Sequence, residues 1–288
     1  MDTILRMKKR PKLLEDRILA TLFFQPSTRT RLSFESAMLR LGGGIIGFAD
    51  PRASRAVGSR AETLEDTIRT VDKYCDVIAI RHTENGAAQR AADVSSVPIL
   101  NGGDGQNQHP TQGLLDVYTI QKYKGRLDGI TVGLVGDIAR TRGMRSLLHI
   151  LGKFDLKLIL VAPREIRLTE EQRGFLEKSD AEFVETTDLK SVVQDMDVLY
   201  TTRLNKEGAE TEEEYNTLLK SYPRINLDIL RNVKKDLIVM HDLPRTDELG
   251  LQINAEVDNT PHAKYFQEVE CGVAVRMALL ALVLGAVE

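Results

Sequence analysis

Cysteine is scarce in this chain. Cys75 and Cys271 are the only two, far apart and in no metal-ligand spacing. That excludes a disulfide framework and a cysteine-based metal module, and it suits a reducing cytoplasm, the expected localisation. Net charge is nearly absent too, at -3. No whole-chain field recruits nucleic acid or an acidic membrane surface, so local arginine clusters need local reasons. Long hydrophobic runs are missing. The longest, Met277 to Val287, falls short of the roughly 20 apolar residues that span a bilayer. The basic start, MDTILRMKKRPKLLEDR, has no apolar core ahead of a cleavage site and does not read as a signal peptide. Internal repeats and low-complexity segments are also lacking.

What is present is ordinary globular composition, 42% hydrophobic and 28% charged over 288 residues, enough for two domains of moderate size. Short apolar, β-branched runs predict strands at 18–24, 45–48, 77–80, 97–100, 131–135, 156–161, 198–201 and 237–240. Amphipathic stretches between them predict helices at 31–41, 63–73, 110–123, 144–154, 170–178 and 189–195. Strands alternating with helices imply βαβ units and parallel sheets. The polar, glycine-bearing stretch 121–129 is the expected boundary, and 274–287 has the apolar periodicity of a long C-terminal helix. The expected fold is therefore α/β with two domains, each a central parallel sheet flanked by helices. Ligands in such sheets sit beyond the carboxyl ends of the strands. Ser27, Arg81, Asn101, Asp137, Arg203 and His241 all follow predicted strands.

The sharpest local feature is Phe23-Phe24-Gln25-Pro26-Ser27-Thr28-Arg29-Thr30-Arg31. A strand breaks at Pro26, and Ser27 is a favoured N-cap for the helix that follows. The first-turn N–H groups have no partners within the helix. With hydroxyls, a guanidinium and the positive end of the helix dipole, they suit a phosphate. A plain N-cap with surface arginines is the bland alternative, and it fits S-T-R-T-R directly behind a buried strand poorly. Arg81 follows the apolar strand DVIAI and offers a second guanidinium. His109, in NQHPTQ before a helix, offers a donor to a carbonyl oxygen that gains negative charge, although a histidine before proline is often just a turn residue. Gln112 offers an amide to the other end of the same ligand.

These pieces resemble the aspartate/ornithine carbamoyltransferase family, most closely its aspartate-specific catalytic chains. The matching stretches run nearly end to end and in the family's order: FFQPSTRTRLSFESAMLRLGG, AETLEDTI, IAIRH, NGGDGQNQHPTQGLLDVYTI, TVGLVGD, DVLYTTRLNKE, HDLPRTDE, TPHAKYFQ and RMALLALVL. The resemblance implies a carbamoyl phosphate-binding domain over residues 1–125 and an acceptor-binding domain over 126–268. A C-terminal helix over 269–288 would cross back to the first domain. It implies that Ser27, Thr28, Arg29, Thr30 and Arg81 hold the phosphate, that Thr30 and His109 contact the carbonyl oxygen, and that Gln112 takes the carbamoyl NH2. Arg29, Thr30 and His109 would be the catalytic set, and Arg31 looks structural. Arg142 and Arg203 would hold the two carboxylates of aspartate, with Asn205 beside them. Leu243, in a typically cis Leu-Pro turn, would meet the reacting amine. The implied reaction carries the carbamoyl group to the amino group of L-aspartate, with no cofactor and no metal. A homotrimer with shared sites is implied as well, with a regulatory chain or a larger pathway assembly left open, in de novo pyrimidine synthesis.

Departures from the family pattern concentrate on the acceptor side. A loop that normally offers serine and lysine to the neighbouring subunit reads Ser54-Arg55-Ala56-Val57-Gly58-Ser59-Arg60-Ala61-Glu62 here, with Arg60 at the lysine position. Planar, permanently charged arginine is no free substitute for an ammonium. Arg140 is an extra charge, Arg145 replaces a histidine, Asn205 shortens the usual glutamine, and Asp242 replaces a proline in the H-P-L-P turn. Three readings of Asp242 stand open: it pairs with Arg140 or Arg60 and activity is ordinary; aspartate binding is weakened or lost; or the acceptor is a different amine. A non-catalytic paralogue that binds carbamoyl phosphate, or a structural partner, is the alternative from another class.

Overall fold

The computed structural model describes residues 12–55, 61–206, 211–245 and 252–287. The chain forms two compact units, Met1–Thr111 with Val269–Glu288, and Gln112–Glu268.

The first unit is built on a four-stranded parallel sheet, β1 (Ile18–Phe23), β2 (Gly44–Phe48), β3 (Val77–His82) and β4 (Ile99–Asp104), in the order β2-β1-β3-β4. Helices α1 (Thr28–Arg40), α2 (Leu64–Val71) and α3 (Ala87–Val94) connect the strands. The chain leaves β1 for β2 on one side and returns to β3 on the other. The carboxyl ends of β1 and β3 therefore flank the switch point, where parallel sheets take ligands. Phe23 and Arg81 are register partners at that end.

From Val269 the long helix α9 (Tyr265–Val283) supplies Met277, Leu280 and Ala281 to a core that includes Leu14, Leu19, Phe34 and Met38. Arg276 is 2% exposed, donates to Gly272 O and Thr111 Oγ1, and lies over the Phe34 ring at 5.0 Å. A buried guanidinium is tolerated only with such partners.

The second unit has a five-stranded parallel sheet, β5 (Thr131–Val135), β6 (Lys157–Val161), β7 (Glu182–Thr186), β8 (Val198–Thr201) and β9 (Ile238–His241), in the order β7-β6-β5-β8-β9. Helices α4 (Pro110–Lys124), α5 (Arg142–Leu151), α6 (Glu170–Leu176), α7 (Leu189–Val192) and α8 (Glu212–Ser221) precede, connect or cover its strands, α4 from Gln112 onward. Here the switch falls between β5 and β8, with Val135 and Thr201 as register partners. β8 and β9 are buried along their whole length, as strands covered on both faces must be.

The fold is the α/β arrangement of two parallel sheets that the alternating pattern implies. Three elements differ from the sequence reading. β7 reads EFVET; as an edge strand it is half exposed and carries charge, so no apolar run announces it. α3 buries only alanines (Ala87, Ala88 and Ala91), a face too small to show as periodicity. α8 was not predicted although its signals are local: Thr211 Oγ1 accepts from Glu214 N, three glutamates fill the first turn, and Tyr215, Leu218 and Leu219 form the buried stripe. The missed β7 makes Arg203 follow the eighth strand and places His241 at the end of the ninth. Arg81 and Asn101 lie within β3 and β4 rather than after them.

Candidate functional site

In the first unit, the extended N-cap Ser27 (φ -158°, ψ 114°) turns the chain from β1 into α1, and its Oγ accepts from Thr30 N at 3.3 Å. The first turn carries no acidic residue to occupy its positive end. Thr30 is 4% exposed, and its Oγ1 shares a hydrogen bond of 3.3 Å with His109 Nε2. Arg81 Nη1 donates to Thr30 Oγ1 at 3.4 Å and to Gly102 O at 3.2 Å, and lies 3.5 Å from His109 Nε2. A Cβ on Gly102 would meet Ile80 O at 3.0 Å and the Thr30 methyl at 3.3 Å, so the close approach needs glycine. Ser27, Thr28, Arg29, Thr30, Arg81 and His109 are thus gathered by the ends of β1 and β3 and the loop after β4.

That loop is set by Asp104, 2% exposed, whose carboxylate accepts from Asn101 Nδ2, Asn107 Nδ2, Gln108 N and Gly86 N. Arg31 Nε donates to Glu35 Oε1 at 2.8 Å, one turn along α1.

Gln112 lies in the second unit. Its Nε2 donates to Asp116 Oδ1 at 2.8 Å and Glu268 Oε1 at 3.3 Å. With both N–H groups directed at carboxyls, Oε1 is the atom of this amide suited to accept from a ligand N–H. Glu268 Oε2 accepts from His241 N at 3.1 Å. Burial drives both acids upward, Asp116 to about 7 and Glu268 well above its usual range, because each charge would be desolvated beside the other.

At the sheet-two switch point, Asp137 follows the left-handed Gly136 (φ 113°), where a Cβ would collide with Tyr222 Oη at 2.2 Å. Asp137 is fully buried and clamps two loops: Oδ1 accepts from Arg140 N at 3.1 Å, Oδ2 from Asn205 N at 3.0 Å. Burial raises its carboxyl to about 6 even against those bonds. Its own N–H donates to Tyr222 Oη at 2.7 Å, and that hydroxyl donates onward to Thr202 O at 2.8 Å. The clamp fixes the loops bearing Arg142, at the start of α5, and Arg203, after β8.

Asn205 spends its amide on that clamp, donating to Arg140 O at 3.2 Å. Arg140 pairs with Glu214 at 2.6 Å, not with Asp242. Asp242 instead accepts from Thr202 Oγ1 at 3.0 Å, and its Oδ2 lies 3.8 Å from Arg203 Nη1. The Leu243-Pro244 bond is cis, and Leu243 sits at φ 49°, held by its N–H donating to His241 Nδ1 at 2.7 Å. Arg203 Nη1 also reaches Leu243 O at 3.5 Å. Arg60 and Ala56 lie outside the described residues. Among the described residues no group of three or more His, Cys, Asp or Glu could hold a metal ion, and no helix is long and apolar enough to cross a membrane.

Sequence reasoning singled out Asp137 by position but gave it no role, and it missed Asp116, Glu268 and Tyr222. Asp116 could have been found, since it stands one turn after Gln112 on the same helix. Glu268 and Tyr222 come from distant elements, and no local pattern marks them.

Family models match both halves of the chain. "Aspartate/ornithine carbamoyltransferase, carbamoyl-P binding domain" covers residues 1–122, and "Aspartate/ornithine carbamoyltransferase, Asp/Orn binding domain" covers residues 128–283. The chain is 51% identical over 269 residues to the aspartate carbamoyltransferase catalytic subunit of Thermococcus kodakarensis, covering 93% of this chain and 84% of that one. The catalytic subunit of M. jannaschii aspartate transcarbamoylase superposes with a TM-score of 0.87 at 43% identity, over 99% of this chain and 90% of that one. Aspartate transcarbamoylase from Trypanosoma cruzi, in complex with carbamoyl phosphate and aspartate, gives a TM-score of 0.86 at 37% identity, over 97% and 86% of the two chains.

Proposed function

The chain belongs to the aspartate/ornithine carbamoyltransferase family, and on that premise we propose that it transfers the carbamoyl group of carbamoyl phosphate to the amino group of L-aspartate. The observation that carries this reading is the convergence of Thr30, Arg81 and His109 on the Ser27-capped helix start.

Ser27, Thr28, Arg29, Thr30 and Arg81 take the phosphate through hydroxyls, first-turn N–H groups and guanidinium. The carbonyl oxygen faces Thr30 and His109, and Gln112 Oε1 accepts from the carbamoyl NH2. Arg142 and Arg203 take the two acceptor carboxylates, and Leu243 O receives the amine N–H. The amine lone pair forms a C–N bond at the carbonyl carbon, and negative charge builds on the oxygen beside His109. The C–O bond to phosphate then breaks, and inorganic phosphate leaves on the arginine side with the proton that the amine sheds. Holding two anionic reactants in place and presenting fixed donors to the developing charge supply the rate.

The same reading includes a homotrimer in which the Ser54–Glu62 loop, with Arg60, completes a neighbour's site. It also includes cytoplasmic pyrimidine synthesis as the setting. Asp242 beside Arg203 favours one alternative, a chain that binds carbamoyl phosphate but carbamoylates a different amine or none.

The test is carbamoyl transfer by the purified protein, with carbamoyl phosphate and either L-aspartate or a panel of amines, products read by mass spectrometry. Carbamoyl-aspartate at an enzymatic rate is expected. Product with another amine alone, or none while carbamoyl phosphate still binds, selects the alternative.

A further inference from the structure

Asp242 stands where the family carries proline, and its carboxylate is held in a definite direction. Oδ1 accepts from Thr202 Oγ1 at 3.0 Å, which turns Oδ2 toward Arg203 Nη1 at 3.8 Å. A methyl group on Gly143 would lie 3.8 Å from the same Oδ2, so this oxygen also faces the first turn of α5, which starts at Arg142. The N-cap of that helix, Thr141, makes no side-chain capping bond. Two sources of positive potential that would draw an acceptor carboxylate are therefore met by a carboxylate of the chain itself. The Asp242 side chain is 12% exposed and that of Arg203 39%, and the pair is loose. A closer ion pair would lock Arg203 away, whereas this one leaves it open to displacement.

Among the described residues, two nearby arginines are engaged by other carboxylates. Arg140 is taken by Glu214 and Arg245 by Asp258, while Asp116 and Glu268 add acid on the remaining side.

Resting on the proposed function, we infer that Asp242 is a specificity-determining residue that competes with the acceptor's carboxylate for Arg203. The chain thereby discriminates against dianionic acceptors and relatively favours amines that bring a single carboxylate.

The experiment pairs kinetics with a binding measurement that needs no turnover. The KM for L-aspartate is measured for wild type, Asp242→Asn, Asp242→Ala and Asp242→Glu. Succinate, a dicarboxylate without an amine, is titrated calorimetrically into each protein in the presence of carbamoyl phosphate. Asn keeps an oxygen for Thr202 but no charge, Ala removes both, and Glu restores the charge.

Asp242→Asn and Asp242→Ala are expected to lower the aspartate KM and tighten succinate on the order of tenfold. Asp242→Glu should stay as weak as wild type, and the KM for carbamoyl phosphate should not move. The gain should shrink in about 0.5 M salt, where exposed charges are screened. A purely structural role would move stability and both substrates together. Succinate affinity and aspartate KM unimproved in both neutral variants would overturn the inference. Tighter succinate without carbamoyl-aspartate from any variant would support the competition while removing the assigned reaction.

Discussion

Asp116 and Glu268 are buried carboxyls in contact, 0% and 2% exposed, and both accept a hydrogen bond from the one side-chain amide of Gln112. Two anions cannot both be carried there without solvent, so the pair holds a proton that neither acid would keep in water.

That arrangement makes stability depend on pH. Unfolded carboxyls titrate near pH 4, whereas Asp116 holds its proton up to about 7 and Asp137 up to about 6. Between those limits the folded chain binds more protons than the unfolded one, so stability is full in acid and falls as pH rises. The thermal midpoint should drop by several degrees from about pH 5 to about pH 8, and less in Asp116→Asn, which needs no proton. A midpoint that rises over this range would contradict the assignment of the shared proton.

His109 reports on charge development rather than on anchoring. Its Nε2 faces Thr30 Oγ1, while in the proposed function the helix start at Ser27 takes the phosphate. His109→Ala should cut kcat by roughly 100- to 1000-fold, as the loss of one fixed donor does. Inorganic phosphate binding, followed by titration calorimetry, should stay within a few-fold of wild type. Arg29→Ala should do the reverse first, abolishing phosphate binding.

In the proposed site Arg203 serves the acceptor and not carbamoyl phosphate. Arg203→Ala should raise the aspartate KM by roughly one to two orders of magnitude, the worth of a charge-assisted hydrogen bond. The KM for carbamoyl phosphate should be unchanged. Equal damage to both constants would mean that the loop, not the guanidinium, was lost.

Tyr222 reaches the site through one oxygen. Its hydroxyl accepts from Asp137 N and donates to Thr202 O, so it ties the loop after β5 to the loop after β8. Tyr222→Phe strands two buried backbone groups and should cost about 1–3 kcal/mol in urea denaturation. Aspartate should bind more weakly in this variant while phosphate affinity holds. Unaltered stability would mean that the two loops are held by other bonds.

That Ser27–Thr30, Arg81 and His109 come together could be read from the sequence, and what surrounds Arg142 and Arg203 could not. S-T-R-T-R packs a cap, a helix start and a guanidinium into contiguous residues, so the local pattern and the chemistry coincide. Arg142 and Arg203 are placed by Asp137, Tyr222 and Asn205, which meet only after the sheet is built. Asp242 shows the limit well. Its charge was visible as a departure, and Arg140 or Arg60 was expected to face it; Glu214 holds Arg140, and Arg203 faces Asp242 instead. The sheets followed the same logic: buried strands announce themselves as apolar runs, whereas the half-exposed edge β7 did not.

The core behind the Ser27 helix start includes Met277, Leu280 and Ala281, which lie on the last helix. A ribosome delivers the chain from the other end, so β1 to β4 emerge long before the residues that close their own core. Until then Phe34, Leu19 and Val77 lack part of their cover, and the buried Arg276 is not yet there to meet Thr111 and Phe34. The first-made half of the protein is thus completed last. A chain released early would present the Ser27–Arg31 turn on an unfinished core.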